Sequence, residues 1–441
     1  MKNEAESNEN RGSMLDVVRE NLEQPERLEA LYRSDPARVG EVLEELYEHD
    51  PSNLMLRAWR ARLEAEEPGR VRPQPAERRT HLAGTLVIAL VAFALLKACL
   101  LLPSYVRYEY VARNWPLIAM AAVGALVAIR RGRSARELVV PAVIFVAGAI
   151  YLNFLPHPSR ADTSLLSLLH FDFIAWVIVG TVYAAERWRS REAWLPFVRF
   201  SGELVAAGGI LGAALSVFTA VYLALFSLIG VETADFYIEW ILPAAVAVLP
   251  LVGVGMAERL ARSSRPLAET VAIVFSPVAL ITIVSFLIGV IITGKSPFTE
   301  RDFLAVFNAV SALALVLVVF ILAARREPGD YPAWLAFAVA GLVISAIAFD
   351  ATALVAVFWR LTTFGFTPNR TALLGMNILV FANLCVLAIP TIKLALSGAS
   401  DAHVRTSLIA KARGAAIVVL PAYVAWAAFV TIAFPPIFGF E

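Results

Sequence analysis

The residues in this chain that could do chemistry are polar side chains set inside long apolar runs. Asp172 and Asp350 are carboxylates, Lys97 is an ammonium, and Asn308 and Asn377 are amides, each with mostly apolar neighbours. An ionisable group within hydrocarbon costs several kcal/mol and usually faces a bundle interior or water. In that setting a carboxylate can serve as a base or nucleophile near a membrane face, or line a polar pocket. No HExxH, GxSxG, Walker loop or CxxC motif accompanies them, so the local sequence marks no reaction. His170 and Asp172 sit two residues apart, about 200° around a helix, and need a third helix to act together.

The stretch from Asp350 to Asn383 organises the rest. It reads as a helix, a short turn and a returning helix. Thr367-Pro368 is a helix-start signal, because a threonine oxygen can accept from free N–H groups and proline lacks the donor that would go unpaired. The returning helix is therefore expected to begin at Pro368, with Gly365 supplying a backbone geometry that larger residues resist. A helix N-terminus is partially positive. With Arg360, Thr367 and Arg370 beside it, this corner could hold a lipid phosphate or a small anionic ligand. The alternative is that both arginines extend to the headgroups and the turn only connects.

Apolar runs of about 20 residues, each able to cross ~30 Å of hydrocarbon, must position these groups. With 59% hydrophobic residues, the 441-residue chain is expected to be all-α, a polytopic transmembrane helix bundle of about eleven spans. The spans are placed near 82–102, 111–129, 138–155, 165–184, 203–230, 236–256, 269–293, 303–324, 333–358, 368–394 and 414–434. Arginine-rich loops, such as those holding Arg130, Arg131 and Arg133 or Arg187, Arg189 and Arg191, alternate with poorer ones. The positive-inside rule then puts the N-terminus in the cytoplasm and the C-terminus outside. Gly208 and Gly212 carry the small-xxx-small spacing of a helix-packing face. Pro243, Pro250, Pro277, Pro390 and Pro421 fall inside spans and can kink them.

On these boundaries Lys97, Asp172, Asn308 and Asp350 all lie about 7–12 Å below the outer interface. The expectation is an outward-facing pocket walled by spans 1, 4, 8, 9 and 10. Lys97 would pair with Asp350 or Asp172, and Asn377 would form the floor. The competing expectation is that Lys97 reaches the headgroups, Asp172 lies at the interface and Asp350 is neutral or capped by a hydroxyl.

Residues 1–67 read as a cytosolic helical domain, 68–80 as a linker rich in proline and arginine, and 81–441 as the bundle. Residues 1–80 carry net charge −5, which argues against a nucleic-acid arm. The first 30 residues are polar and acidic, so no cleavable signal peptide is expected. Capping pairs are expected at Ser13 with Asp16, at Asp35-Pro36 and at Asp50-Pro51. The apolar stripes Val39, Val42, Leu43, Leu46 and Leu56, Trp59, Leu63 would bury against each other. This head could be a cap or could dock a protein partner. Cys99 and Cys385 lack metal-ligand spacing and are expected at opposite depths, so neither a metal, a cofactor nor a disulfide is expected.

Two pieces together carry a resemblance. One is Glu20-Asn-Leu, Leu28-Glu-Ala-Leu-Tyr-Arg33 and Trp59-Arg-Ala-Arg-Leu63. The other is Phe364-Gly-Phe-Thr-Pro-Asn-Arg370 leading into Leu373-Leu-Gly-Met-Asn377. They resemble an uncharacterised family of bacterial multi-pass inner-membrane proteins, covering about a seventh of the chain. The resemblance implies that membrane and supplies no substrate. Three functions are compatible with the sequence: a transporter or permease, an accessory or sensor subunit, and an enzyme acting on a lipid-linked anionic substrate.

Overall fold

The structure is a computed structural model. It describes residues 14–50, 52–66, 75–156, 161–228, 232–262, 267–293, 301–323, 332–397 and 402–440, and the expected cap at Ser13 lies outside them. The chain divides into two compact units, Met1–Leu82 and Ala83–Glu441.

The first unit is helical throughout its described elements: α1 (Pro25–Ser34), α2 (Pro36–His49) and α3 (Leu54–Glu66), preceded by a helical stretch over 14–20. Its core is Val18, Leu28, Val39, Val42, Leu43, Leu46, Leu56 and Trp59, so the expected stripes do meet. Asp35-Pro36 opens α2 as expected. The third helix starts later than the Asp50-Pro51 signal suggests. Asn53 caps it instead, its Oδ1 accepting from the Met55 and Leu56 N–H groups at 2.9 and 3.3 Å. The Asp50 carboxylate accepts from the backbone N–H and hydroxyl of Ser52, at 3.2 and 2.7 Å. That hydroxyl holds the exposed Asp50 carboxyl below its ordinary range.

Among the described residues, the second unit has eleven helices long and apolar enough to cross a membrane, as expected. A backbone without water must satisfy its polar groups internally, which apolar runs of this length do as helices. They are built from α4 (Pro75–Lys97), α5 (Ser104–Arg130), α6 (Ala135–Phe154), α7 (Asp162–Ala184), α8 (Arg191–Leu228), α9 (Leu242–Arg262), α10 (Leu267–Thr293), α11 (Arg301–Ala323), α12 (Ala333–Phe364), α13 (Pro368–Leu396), α14 (Ala402–Val418) and α15 (Leu420–Phe438). This is a multi-pass membrane protein. Part of the expected linker is helical, since α4 begins at Pro75.

Helices α12 and α13 form the central hairpin. Around it α11 and α10 pack on α12, α14 packs on α13, and α15 packs on α7. Leu335, Leu342, Val343, Ala346, Phe349 and Leu384 are among the fully buried side chains of this core. Helices α4 and α6 bury little of their spans. The glycine-rich face of α8 also stays open, with nothing within 4 Å of a Cβ built at Gly208 or Gly212.

Pro243 and Pro421 lie inside spans as expected, each in the first turn of the helical segment that follows a local irregularity. Before Pro243 the chain makes a π turn, Tyr237–Ile241. Before Pro421, the single residue Val419, at φ −88° and ψ −9°, separates α14 from α15 within one span, His403–Phe438. Pro250, Pro277 and Pro390 stay within continuous helices.

Candidate functional site

The central hairpin sets the site. Helix α12 ends at Phe364 and turns through Gly365 at φ 76°, a left-handed value that glycine adopts without strain. Helix α13 opens at Pro368, with the Thr367 Oγ1 accepting from the Arg370 N–H at 3.3 Å. Asn369 Nδ2 then donates to the Asp162 carboxylate in the first turn of α7. The adjacent Thr163 hydroxyl donates to the Gly439 carbonyl past the end of α15, at 2.8 Å. The starts of α7 and α13 and the ends of α12 and α15 are thus fastened at one end of the bundle.

Counting down from that fastened end places three polar residues at one depth. Asp350 lies about 21 Å below Phe364 on α12, at 1.5 Å per residue. Asn383 lies about 22 Å below Pro368 on α13, and Tyr423 about 22 Å below Phe438 on α15. Asp350 is 1% exposed and Asn383 4%. The Tyr423 hydroxyl lies beside the Asn383 side chain, short of hydrogen-bond geometry, and Tyr423 and Cys385 are both within electrostatic reach of Asp350. Asp350 Oδ2, Asn383 Oδ1 and the Tyr423 hydroxyl have no hydrogen-bond partner among the described residues. Buried polar atoms ordinarily find one.

A second polar pair sits nearer the fastened end. Asn377 Nδ2 donates to Asn308 Oδ1 at 2.8 Å, joining α13 to α11, while Asn308 Nδ2 has no partner among the described residues. This pair is about 13 Å below Pro368.

The other expected pocket residues are distributed differently. Asp350 lies further from the end of α12 than expected, because α12 runs six residues past the expected end at 358. Lys97 pairs with neither Asp350 nor Asp172. Its Nζ donates to the Glu239 carbonyl at 2.8 Å, lies 3.7 Å from the Glu239 carboxylate and stands 4.0 Å over the Trp240 ring. The π turn before α9 brings Glu239 and Trp240 to the end of α4, so sequence distance hid this partner. Asp172 is half-buried on α7, with Oδ1 unpartnered among the described residues. His170 donates Nδ1–H to the Leu166 carbonyl at 2.8 Å, a bond within its own helix.

The expected anion corner is occupied by backbone. Arg370 Nη1 donates to the carbonyls of Phe364 and Gly365 at 2.9 and 3.0 Å, and the guanidinium stands over the Phe364 ring. Arg370 therefore closes the C-terminus of α12, where free carbonyls need donors. Arg360 is half-buried, with Nε unpartnered among the described residues.

Tyr423 is the residue that sequence reasoning left out. Its signal is a phenol placed two residues after a proline in an apolar run. Gly375 is the other omission. A Cβ there would lie 2.0 Å from the Trp426 ring, so glycine lets α15 seat against α13 and carry Tyr423 to Asn383. Among the described residues no three His, Cys, Asp or Glu side chains gather as a metal centre.

The arrangement supplies hydrogen-bond acceptors and one carboxyl within an apolar bundle. It offers no nucleophile and base within hydrogen-bond reach of each other among the described residues. No family model matches the sequence, and comparison with curated proteins and with solved structures gives no match.

Proposed function

We propose that this chain is a carrier-type protein that admits a small polar solute between α11, α12, α13 and α15. The observation that carries this reading is the set of buried polar atoms left without partners: Asp350 Oδ2, Asn383 Oδ1, Tyr423 OH and Asn308 Nδ2. In a bundle that must satisfy its own polar groups, such atoms fit a polar solute or water that reaches them. The basic loops and the resemblance of the 364–377 segment support a bacterial inner membrane with the head cytoplasmic.

The subunit reading is less well supported. The apolar stripes of the head are spent on its own core. The enzyme reading is weakened by the use of Arg370 as a helix cap.

Substituted-cysteine labelling tests the proposal. In a Cys99→Ser, Cys385→Ser background, Asn308→Cys and Asn377→Cys should react with a membrane-impermeant methanethiosulfonate added outside. Proteoliposomes should show solute flux that the same reagent blocks. A chain unreactive at both positions from both faces, with no flux, would sink the reading.

A further inference from the structure

We infer that Asp350 is a proton-binding site, its carboxyl taking up and giving back one proton at the level of Asn383 and Tyr423. For its part in transport this rests on the carrier reading above. For its chemistry it rests on the side chains alone.

Geometry selects a proton over a larger guest. Asp350 is 1% exposed and its Oδ2 has no partner among the described residues. No cation and no hydrogen bond from a described residue acts on its carboxyl. A lone carboxylate there is costly, and a positive charge is the direct compensation. A metal cation would need about six oxygen ligands. Among the described residues, Asn383 and Tyr423 bring two neutral side-chain oxygens to the level of the carboxyl. A proton needs one oxygen.

The facing groups agree with this assignment. From α15 comes Tyr423, which lies beside Asn383 of α13, and the exposed Cys385 of α13 is within electrostatic reach. From α11, Ser311 donates to the Phe307 carbonyl at 3.0 Å and reaches toward Ala346, one turn from Asp350. From α10, Phe286 stacks on Phe349 at 5.9 Å. None of these is basic, so no neighbouring cation holds the carboxylate charged. In uptake, a hydronium ion gives one proton to Oδ2, leaving water, and the carboxylate becomes a neutral carboxyl. In release, the O–H bond breaks and the proton returns to water. The Asn308–Asn377 pair lies on the way from the fastened end, on helices that also flank Asp350.

Infrared spectroscopy of the full-length chain in lipid nanodiscs tests this. A pH titration should show one protonated-carboxyl C=O band per chain that appears and disappears reversibly. Asp350→Asn should remove it, and Asp350→Glu should restore a shifted band. Gel filtration confirms that each variant is folded. Asn383→Ala and Tyr423→Phe should move the midpoint by about one pH unit.

Absence of a titrating band that depends on Asp350 overturns the inference. So does a band that appears only when sodium chloride is replaced by choline chloride, which would assign a sodium ion instead. If titration fails while Asn377→Cys still labels from outside, only the proton site falls. If labelling and flux fail while Asp350 titrates, only the carrier reading falls.

Discussion

The Asn377 side chain on α13 donates a hydrogen bond of 2.8 Å to the Asn308 side chain on α11. These residues are far apart in sequence, and each is isolated in an apolar run. Their pairing ties the central hairpin to the helix beside it.

A double-mutant cycle measures that tie. Asn308→Ala and Asn377→Ala should be non-additive, with a coupling energy of about 0.6 kcal/mol, typical of interhelical bonds in membranes. Reversible unfolding in mixed micelles reads it out. Strict additivity would show that the bond contributes nothing.

Close approach at Gly375 gives a larger effect. Alanine there places a methyl 2.0 Å from the Trp426 ring, which must move. Gly375→Ala should lose about 1–3 kcal/mol of stability, as overpacking does. Trp426→Phe in the same chain should recover part of it. An alanine variant as stable as wild type would mean that α13 and α15 do not seat this way.

Arg370 is expected to behave as a cap. Its loss removes donors to the Phe364 and Gly365 carbonyls, so Arg370→Ala should cost about 1–3 kcal/mol. Thermal unfolding in liposomes with and without anionic lipid separates a cap from a headgroup contact. A cap costs the same in both. A cost that vanishes without anionic lipid would restore the anion corner.

Lys97 and Glu239 should contribute little to stability. The lysine side chain is 12% exposed and the glutamate 50%, and the ion-pair distance is 3.7 Å. Glu239→Gln should change stability by about 0–1 kcal/mol, since exposed pairs are screened. The lysine keeps the Glu239 carbonyl and the Trp240 ring. A loss well beyond that range, measured by thermal melting in detergent, would contradict the assignment.

Acid should loosen the second turn of the head. The Ser52 hydroxyl keeps the Asp50 carboxyl below its ordinary range, so the folded form binds its proton less readily than the unfolded chain. The stability this adds is present above the ordinary carboxylate pKa of about 3.9 and is lost as pH falls through the lower folded value. Hydrogen-exchange protection of residues 52–56 should fall in that window in wild type and show a weaker dependence in Ser52→Ala. Equal profiles would remove the effect.

Helix content and span number follow from composition and run length, because lipid allows so few backbone solutions. The start of α13 was legible for the same reason, since Thr367 and Pro368 act within one turn. The end of α12, and so the distance of Asp350 from it, was misjudged, because that end depends on Gly365 and on the Arg370 cap that arrives from the next helix. The partner of Lys97, the pairing of Asn308 with Asn377 and the arrival of Tyr423 beside Asn383 were decided only by how the helices pack. Periodicity tells which side of a helix is apolar. In a chain apolar on nearly every side it does not tell which helix lies opposite, and that choice rests on contacts such as Gly375 against Trp426.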